Sequence, residues 1–515
     1  MMQLRYQDYD DFIVVNKGFG LRTHQVSDSQ FGLVEYLSEK LACPLYVVHR
    51  LDNETSGLIL FAKSKEAAQK LSLLFESHQI QKTYYFLTNR INPNTQFEIQ
   101  SYISKEQNQF IQNDNPNPNA KTKFEYVKKI GDAFLWRAYP QSEKPHQIRL
   151  HAQKAQIPVL GDIDHGGSLF FRLALHAQSL SFELNQKTYS IESALPDLFV
   201  NNSENTYENF LHSCFEKRNS FYDIIAGESF RLVHTESAKI RADIFNDHLW
   251  IYDYSENGLS ETEKKSCAAF AKAQNFILII RHMLDRGAGV GGLEKSTLSQ
   301  HDPVDTWIAK EEKINYVLKT NAGFSPGLFL DQRENKLLVR KMSESKRILN
   351  LFCYTAGFSV AAALGQASEV TSVDVSSKFL TWSKENFTAN HLDTEKYEFF
   401  PQDCTVFLKG AQKRGRKWDF IICDPPTFGR SKESVWKLER NLPDLAEMIW
   451  SCLEDKGVVL FTCNYEKMNR DELLQLFLKK IISRKLTSRL PQLSLDFEHT
   501  DDLKNLMKGF LLTKN

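Results

Sequence analysis

The sequence has no surplus of charge: Lys plus Arg number 64, and Asp plus Glu also number 64. A uniformly basic nucleic-acid binder is therefore excluded, and any basic surface has to be local. The eight cysteines, at 43, 214, 267, 353, 404, 423, 452 and 463, include no CxxC pair and no His partner at zinc spacing. That scatter excludes a disulfide framework and a structural zinc site, so reduced thiols and no metal are expected. The apolar run FILII at 276–280 stops at Arg281 and His282, well short of the ~20 residues that cross a bilayer. MMQLRYQDYDDF places acids where a secretion signal needs an apolar core. The expectation is a cytoplasmic chain with no membrane segment.

At 515 residues the chain exceeds one ordinary core, and about 150 residues per domain suggests roughly three domains. Composition and pattern divide it at 1–200, 201–300 and 301–515. The first region is rich in short strands: FIVVNK, LYVVHRL, GLILFAK, TYYFLT, and a pair meeting at Gly131-Asp132, a two-residue turn that supplies positive φ. Lys65 to Phe75 reads as a helix, with Ala68, Leu71 and Phe75 at spacings of three and four. The fold expected is α+β on a mixed, largely antiparallel sheet.

Within it, HRLDNETSGLILFAK places Asp52 after a strand and before the turn-formers Asn53 to Gly57, where a loop presents a carboxylate to a cleft. An aspartate in that setting also reads as an Asx turn that organises the loop. The longer pattern decides. His49-Arg50-Leu51-Asp52, Thr55-Ser56-Gly57, Ala62-Lys63, Lys82-Thr83-Tyr84, His146-Gln147-Ile148-Arg149 with His151, and Pro158-Val159-Leu160-Gly161-Asp162 follow in order. Together they resemble the RluA branch of the pseudouridine synthases across about residues 5 to 198. The resemblance implies a cofactor-free isomerase in which Asp52 acts on the target uridine, Tyr84 stacks on the base and aids proton transfer, and Arg149 pairs with Asp52. Two departures stand out: Glu143-Lys144-Pro145 replaces the usual Gly-Arg, and no proline lies near Gly18-Phe19-Gly20.

The middle region opens on a polar linker, Asn201 to Asn205, and contains FRLVH, IRADIF and LWIYDY as strands with alternation. Ser260-Glu261-Thr262-Glu263 is a capping box that opens a helix, and FILII is a further strand. A small α+β module with a core of its own is expected. Gly287 to Gly292 lacks the Lys-Ser/Thr of a phosphate loop and reads as linker. The module resembles the central, RNA-holding domain of certain large-subunit rRNA methyltransferases.

From about 320 onward strands and helices alternate, which means a parallel, doubly wound α/β sheet of Rossmann type with its ligand at the strand C-terminal ends. The loop Cys353-Tyr354-Thr355-Ala356-Gly357 has one glycine, which disfavours a dinucleotide's pyrophosphate. S-adenosylmethionine has no phosphate and needs less close an approach. Asp374 ends the second strand, where a carboxylate accepts ribose hydroxyls, and Asp403 ends the third, near an adenine. Asp424-Pro425-Pro426-Thr427-Phe428 is a rigid, donor-poor turn that projects a carboxylate toward an amino-bearing base.

With Phe329 to Arg333, Asn350-Leu351-Phe352, Tyr354-Thr355 and Ser431-Lys432, these pieces resemble class I methyltransferases of large-subunit rRNA. The resemblance implies S-adenosylmethionine as cofactor, held by Asn350, Phe352, Tyr354, Gly357, Asp374, Asp403 and Asp424, with rRNA as partner. Guanine N7 and cytosine C5 are both open as acceptors. Cytosine C5 needs a thiolate, which Cys463 would supply, whereas guanine N7 needs only alignment. DPPTFGRSK favours guanine, as do Asn464 and Asn469 if they meet a purine edge. Lys413 to Lys417, Lys479-Lys480, Arg484-Lys485 and Arg489 offer local positive charge. The expected protein is a bifunctional RNA-modifying enzyme. The rival readings are an RNA-binding assembly factor with an inactive isomerase half, and a methyltransferase acting on a protein amide.

Overall fold

The computed structural model describes the chain except residues 1, 2, 5, 25–31, 108, 114, 201–205, 220, 221, 224–227, 235, 284–294, 297–305, 321–324, 431–434, 482–485, 490–496, 498–506 and 515. The expected linkers at Asn201 to Asn205 and Gly287 to Gly292, and the motif residues Ser431-Lys432 and Arg484-Lys485, lie outside the described residues.

The front of the chain forms one 11-stranded sheet. Its main elements are β1 (Phe12–Lys17), α1 (Leu33–Lys40), β2 (Ser56–Ala62), α2 (Lys65–Glu76), β3 (Gln81–Thr88), β4 (Gln96–Glu106), β5 (Ala120–Ile130), β6 (Ala133–Pro140), α3 (Gln147–Lys154) and β7 (Leu175–Leu184). The spatial order β1-β2-β7-β3-β6-β5-β4 is antiparallel apart from the β2–β7 pair. The sheet is thus mixed and largely antiparallel, and β5 and β6 meet at Gly131-Asp132 with Gly131 at φ 53°. All seven residues of β2 are buried, so the strand that follows the Asp52 loop is the centre of the domain. Gly57 lets β7 come alongside: at φ +118°, a Cβ there would lie 2.2 Å from the Ala177 carbonyl oxygen.

The middle region adds α4 (Tyr207–Asn219), β8 (Phe230–Val233), β9 (Ile240–Phe245), β10 (His248–Asp253), α5 (Glu261–Ala273) and β11 (Ile277–His282), with β8 to β11 adjacent in one sheet. Ser260 and Glu263 form the expected capping box on α5. Here the structure departs from the sequence expectation. The strands are apolar at successive positions rather than alternate ones, because both faces of the sheet are covered. Ile240, Ala242, Ile244, Leu249, Ile251, Leu278 and Ile280 face one core, which they share with Ile13, Val15, Leu33, Leu37, Ile59 and Phe61 of the front domain. Phe245, Trp250 and Ile279 face the other, shared with Ile348, Phe420 and Ile422 of the back domain. The module therefore completes two neighbouring cores instead of enclosing its own. Gln3–Leu4 also pairs with Tyr222–Asp223, and Lys40 at the end of α1 reaches Glu334 at 2.6 Å.

A hairpin, β12 (Thr306–Glu311) and β13 (Ile314–Lys319), leads into the back domain. Its elements are α6 (Arg333–Met342), β14 (Arg347–Leu351), α7 (Gly357–Leu364), β15 (Glu369–Asp374), α8 (Ser377–Ala389), β16 (Glu398–Pro401), α9 (Cys404–Lys413), β17 (Trp418–Cys423), α10 (Leu438–Ser451), β18 (Leu453–Cys463), α11 (Arg470–Leu478) and β19 (Lys508–Lys514). The order β16-β15-β14-β17-β18-β19 is parallel through its first five strands, and β19 is antiparallel to β18. This is the doubly wound sheet expected from strand–helix alternation. The basic runs at 413–417 and 479–480 are partly neutralised, since Arg416 pairs with Glu369 and Glu398, and Lys480 pairs with Asp444.

Truncating Trp250 tests the shared core. It is fully buried between two domains, so Trp250→Ala should cost about 3–5 kcal/mol. The urea midpoint of the full chain should fall accordingly, and a parental midpoint would contradict burial on that face.

Candidate active sites

The front site is a cavity of about 1080 Å³ whose walls include Asp52, Tyr84 and Arg149. The Asp52 loop is held from below. Thr55 N–H donates to the Asp52 carbonyl at 3.0 Å, which closes the turn through the backbone, and the buried Lys17 ammonium donates to the Asn53 carbonyl at 2.8 Å. His49, next in the motif, is structural. Its Nε2 accepts from Leu60 N–H at 3.0 Å, its ring stacks on Phe75, and burial pushes it down to about 3, so it stays neutral.

Arg149 sits in the first turn of α3, and its guanidinium lies among three carboxylates. Nη1 is 3.7 Å from Asp52 Oδ2 and Nη2 is 3.6 Å from Asp164 Oδ2. The short contacts go elsewhere: Nε and Nη2 donate to Asp162 at 2.8 and 2.6 Å, a two-pronged pair that fixes the plane of the fork. The sequence reading paired Arg149 with Asp52 and missed Asp162, although PVLGD ends on it. Gly161 makes that placement possible, since at φ +81° a Cβ would come within 2.0 Å of the Arg172 carbonyl oxygen. Tyr84 projects from β3, and burial, with Glu143 and Asp52 nearby, holds its phenol protonated far above the usual range. It is therefore a neutral ring with an O–H to donate.

Arg22, Arg50, Lys105 and Lys144 also line this cavity, which places the local basic surface where a polyanion would enter. Glu143, one of the departures, is in an ion pair with Lys82, so it does not present a bare negative charge. Gln147 knits the same loop, accepting from Ser142 Oγ at 2.8 Å and Lys144 N–H at 3.1 Å while donating to the Lys121 carbonyl at 3.0 Å. At the other departure, the ring of Phe19 lies under Arg172 and under Lys217 from α4.

The back site is built on the C-terminal ends of five adjacent strands. In spatial order these ends carry Asp403 (after β16), Asp374 (β15), Phe352 to Ala356 (after β14), Asp424 (after β17) and Cys463 (β18). Asp374 and Asp424 thus flank the β14 loop, on strands about 10 Å apart. The loop owes its shape to three left-handed residues, Phe352, Tyr354 and Ala356 at φ 56°, 49° and 61°. Asp374 ties it to the next loop, accepting from Tyr354 N–H at 3.0 Å and Ser376 N–H at 2.9 Å, and burial raises its carboxyl above the usual value. The exposed apolar side chains Val375 and Val406 stand just past β15 and β16, and Phe329 and Phe428 are about half exposed. Sequence reasoning missed the two valines, because a lone apolar residue in a loop or in the first turn of a helix carries no pattern.

Several expected residues have other duties. Asp403 caps α9, its Oδ1 accepting from Thr405 N–H at 2.8 Å. Asn350 is 1% exposed and donates to Ser359 Oγ at 2.9 Å, bracing β14 against α7 from behind the loop. Gly357 has no positive φ, and a Cβ there would meet Lys336 and Tyr316 at an ordinary 3.6 Å, so the close backbone approach belongs to the left-handed residues before it. Asn469 caps α11, its side-chain oxygen accepting from Glu472 N–H at 2.9 Å. Cys463 is fully buried, and burial pushes its thiol up to about 12. Its full burial at a strand end agrees with the packing of a small apolar residue.

Asp424 sits at the mouth of the DPP turn, where the Trp436 indole N–H donates to the Pro426 carbonyl at 2.6 Å. Burial pushes the Asp424 carboxyl up to about 7. The residues present fit an S-adenosylmethionine site: a carboxylate at the second strand end, apolar side chains beside it for a flat ring, and a second acid across the loop. Among the described residues, no group of three or more His, Cys, Asp and Glu side chains is arranged to hold a metal ion.

These are the sites of two catalytic domains in series, an Asp–Arg cleft on a mixed sheet and a cofactor edge on a doubly wound one. Residues 11–154 match the family model described as RNA pseudouridylate synthase, and residues 260–508 match that of S-adenosylmethionine-dependent methyltransferases. The chain thus joins a domain of the first family to a domain of the second. The second match begins inside the middle module.

Ribosomal RNA large subunit methyltransferase K/L of Shewanella sp. (strain ANA-3) is 38% identical over 199 residues, covering 38% of this chain and 26% of that protein. Ribosomal RNA large subunit methyltransferase I of Tolumonas auensis (strain DSM 9187 / NBRC 110442 / TA 4) is 30% identical over 249 residues, covering 46% of this chain and 61% of that protein. The chain therefore spans about a quarter of the length of the K/L relatives it matches. A solved structure from Streptococcus mutans, described as a SAM-dependent methyltransferase, shares the fold with a TM-score of 0.53 at 23% identity, over 66% of this chain and 88% of that one.

Three buried histidines, His49 among them, give the front domain an acid-sensitive stability. His151 lies between Ser101 and Thr122 hydroxyls and is pushed down to about 4 by burial, and His176 likewise to about 3. The unfolded chain takes up these protons below about pH 6.5 and the folded chain does not. Their stabilising contribution is therefore full above pH 6.5 and is lost as pH falls toward 4. The urea midpoint should drop across that window, less steeply in His151→Asn; identical slopes would contradict a neutral buried His151.

Proposed function

We propose that the chain is a bifunctional RNA-modifying enzyme acting on large-subunit rRNA, arranged as an isomerase domain at 1–200, an RNA-holding module at 201–300 and a methyltransferase domain at 301–515. The observation that carries the first half is the Arg149 guanidinium, locked by Asp162 and still within ion-pair distance of Asp52. Asp52 acts as an anion on the uridine, as nucleophile or base. Arg149 offsets its charge without quenching it, since the shorter bonds belong to Asp162. Tyr84 stacks on the base and offers its O–H for proton transfer. Because Lys82 takes up the charge of Glu143, that departure argues less for an inactive assembly factor.

In the second half S-adenosylmethionine supplies an electrophilic methyl group when bound. Asp374 accepts from its ribose, Val375 and Val406 flank its adenine, and Phe428 stacks on the acceptor base. Asp424 accepts an N–H of that base and so aligns it. Guanine N7 is favoured over cytosine C5 by the longer motif DPPTFGRSK, and the full burial of Cys463 supports that choice. The names of the relatives support rRNA of the large subunit as the acceptor. No helix among the described residues is long and apolar enough to cross a membrane, which fits the proposed cytoplasmic site of action.

Separation of the two activities tests this reading. Asp52→Ala should abolish pseudouridine formation in unmodified rRNA and leave methyl transfer near the parental rate. Asp424→Asn should do the reverse, and Cys463→Ser should keep methylation. Pseudouridine formation by Asp52→Ala, or loss of methylation in Cys463→Ser, would contradict the assignments.

A further inference from the structure

One buried side chain at the methyl site is left without a role by the reading above. Gln332 ends the short turn Leu330–Gln332 before α6, and its Nε2 lies 3.3 Å from Asp424 Oδ2. Its amide is not free to turn over. Gln332 Oε1 accepts from Asn335 Nδ2 at 2.7 Å, and Asn335, one helical turn on, is itself 1% exposed. An amide whose oxygen is committed to a donor presents its NH₂ group to its other neighbour. Gln332 therefore meets Asp424 as a donor, aimed at one chosen carboxylate oxygen.

We infer that Gln332 is a positioning residue for methyl transfer: it anchors Asp424 through Oδ2, leaves Oδ1 to accept an N–H of the acceptor base, and is itself oriented by Asn335. The inference rests on the role of Asp424 proposed above. The charged and titratable groups around Asp424 make the Gln332 donor count. Burial opposes ionisation of Asp424, as does Asp331 on the same turn as Gln332, while the Thr462 hydroxyl favours it. Cys423 and Cys463, at the ends of β17 and β18, are held protonated by burial and carry no charge to offset it. A neutral donor in this surrounding favours the carboxylate over the acid and also fixes its rotation. A leucine at 332 keeps much of the bulk and removes the donor. Asp424, left with the Thr462 hydroxyl alone, then takes its proton at higher pH, and its looser rotation spoils the alignment of the base.

The test uses the full chain, unmodified large-subunit rRNA and labelled S-adenosylmethionine. In Gln332→Leu the rising limb of the kcat–pH profile for methyl transfer should move to higher pH by about one unit, the scale of one lost hydrogen bond to a carboxylate. The rate at neutral pH should fall severalfold, with the KM for S-adenosylmethionine unchanged. Asn335→Leu, which leaves Gln332 in place but unanchored, should move the limb the same way by less. Pseudouridine formation by the same preparations reports folding, and if Gln332→Leu loses it, Asn335→Leu carries the test. A parental pH profile in whichever variant stays folded overturns the inference. Asp424→Asn separates the two levels. If it methylates like the parent, the role of Asp424 fails and this inference with it; if it is inactive while Gln332→Leu behaves as the parent, only this inference fails.

Discussion

The structure depends on a sheet that has no dry face of its own. Strands β9 to β11 bury alternate residues in opposite directions, with Leu249 and Ile251 toward the isomerase domain and Trp250 toward the methyltransferase domain. Exposing either face to water would cost on the order of 25 cal/mol for each Å² of apolar surface uncovered. The two catalytic domains are consequently packed onto one shared element rather than joined by a tether. The short Gln3–Leu4 ladder to Tyr222–Asp223 and the Lys40–Glu334 ion pair lie along the same junction. A partly exposed ion pair contributes little by itself, so the apolar faces set the arrangement.

Both candidate sites place an acid at a strand end and control it from the side. In front, the cationic fork of Arg149 is held by Asp162 and reaches Asp52 at longer range, so the Asp52 carboxylate keeps a partner without being consumed by it. At the back burial holds the Asp424 proton near neutrality, and two neutral donors, the Thr462 hydroxyl and the Gln332 amide, oppose that. The contrast suits the two chemistries. An aspartate that acts on carbon must be available as an anion, whereas one that aligns a base needs a fixed direction more than a full charge.

Much of this was legible in the sequence because the signals were local. Asp52 stood between a strand and a run of turn-formers, Asp374 and Asp424 ended strands of an alternating pattern, and the Ser260 capping box occupied four residues. What stayed hidden depended on contacts between distant segments. The Asp162 pair needs α3 brought against the turn after Gly161, and the Lys82–Glu143 pair needs β3 laid beside the 141–146 loop. Gln332 acquires meaning only when α6 packs beside the DPP turn. The middle strands carried their own warning: LWI and ILII are apolar at consecutive positions, the mark of burial on both faces, yet the segment read as a self-contained module. At Cys463 the sequence offers both a nucleophile and a small apolar residue at a buried strand end, and full burial agrees with the second.

The most direct measurement is nucleoside mass spectrometry of unmodified large-subunit rRNA after incubation with the purified chain and S-adenosylmethionine. The expectation is two products from one protein, pseudouridine and 7-methylguanosine, with pseudouridine alone when S-adenosylmethionine is withheld. Recovery of 5-methylcytidine in place of 7-methylguanosine, or of no pseudouridine at all, would contradict it.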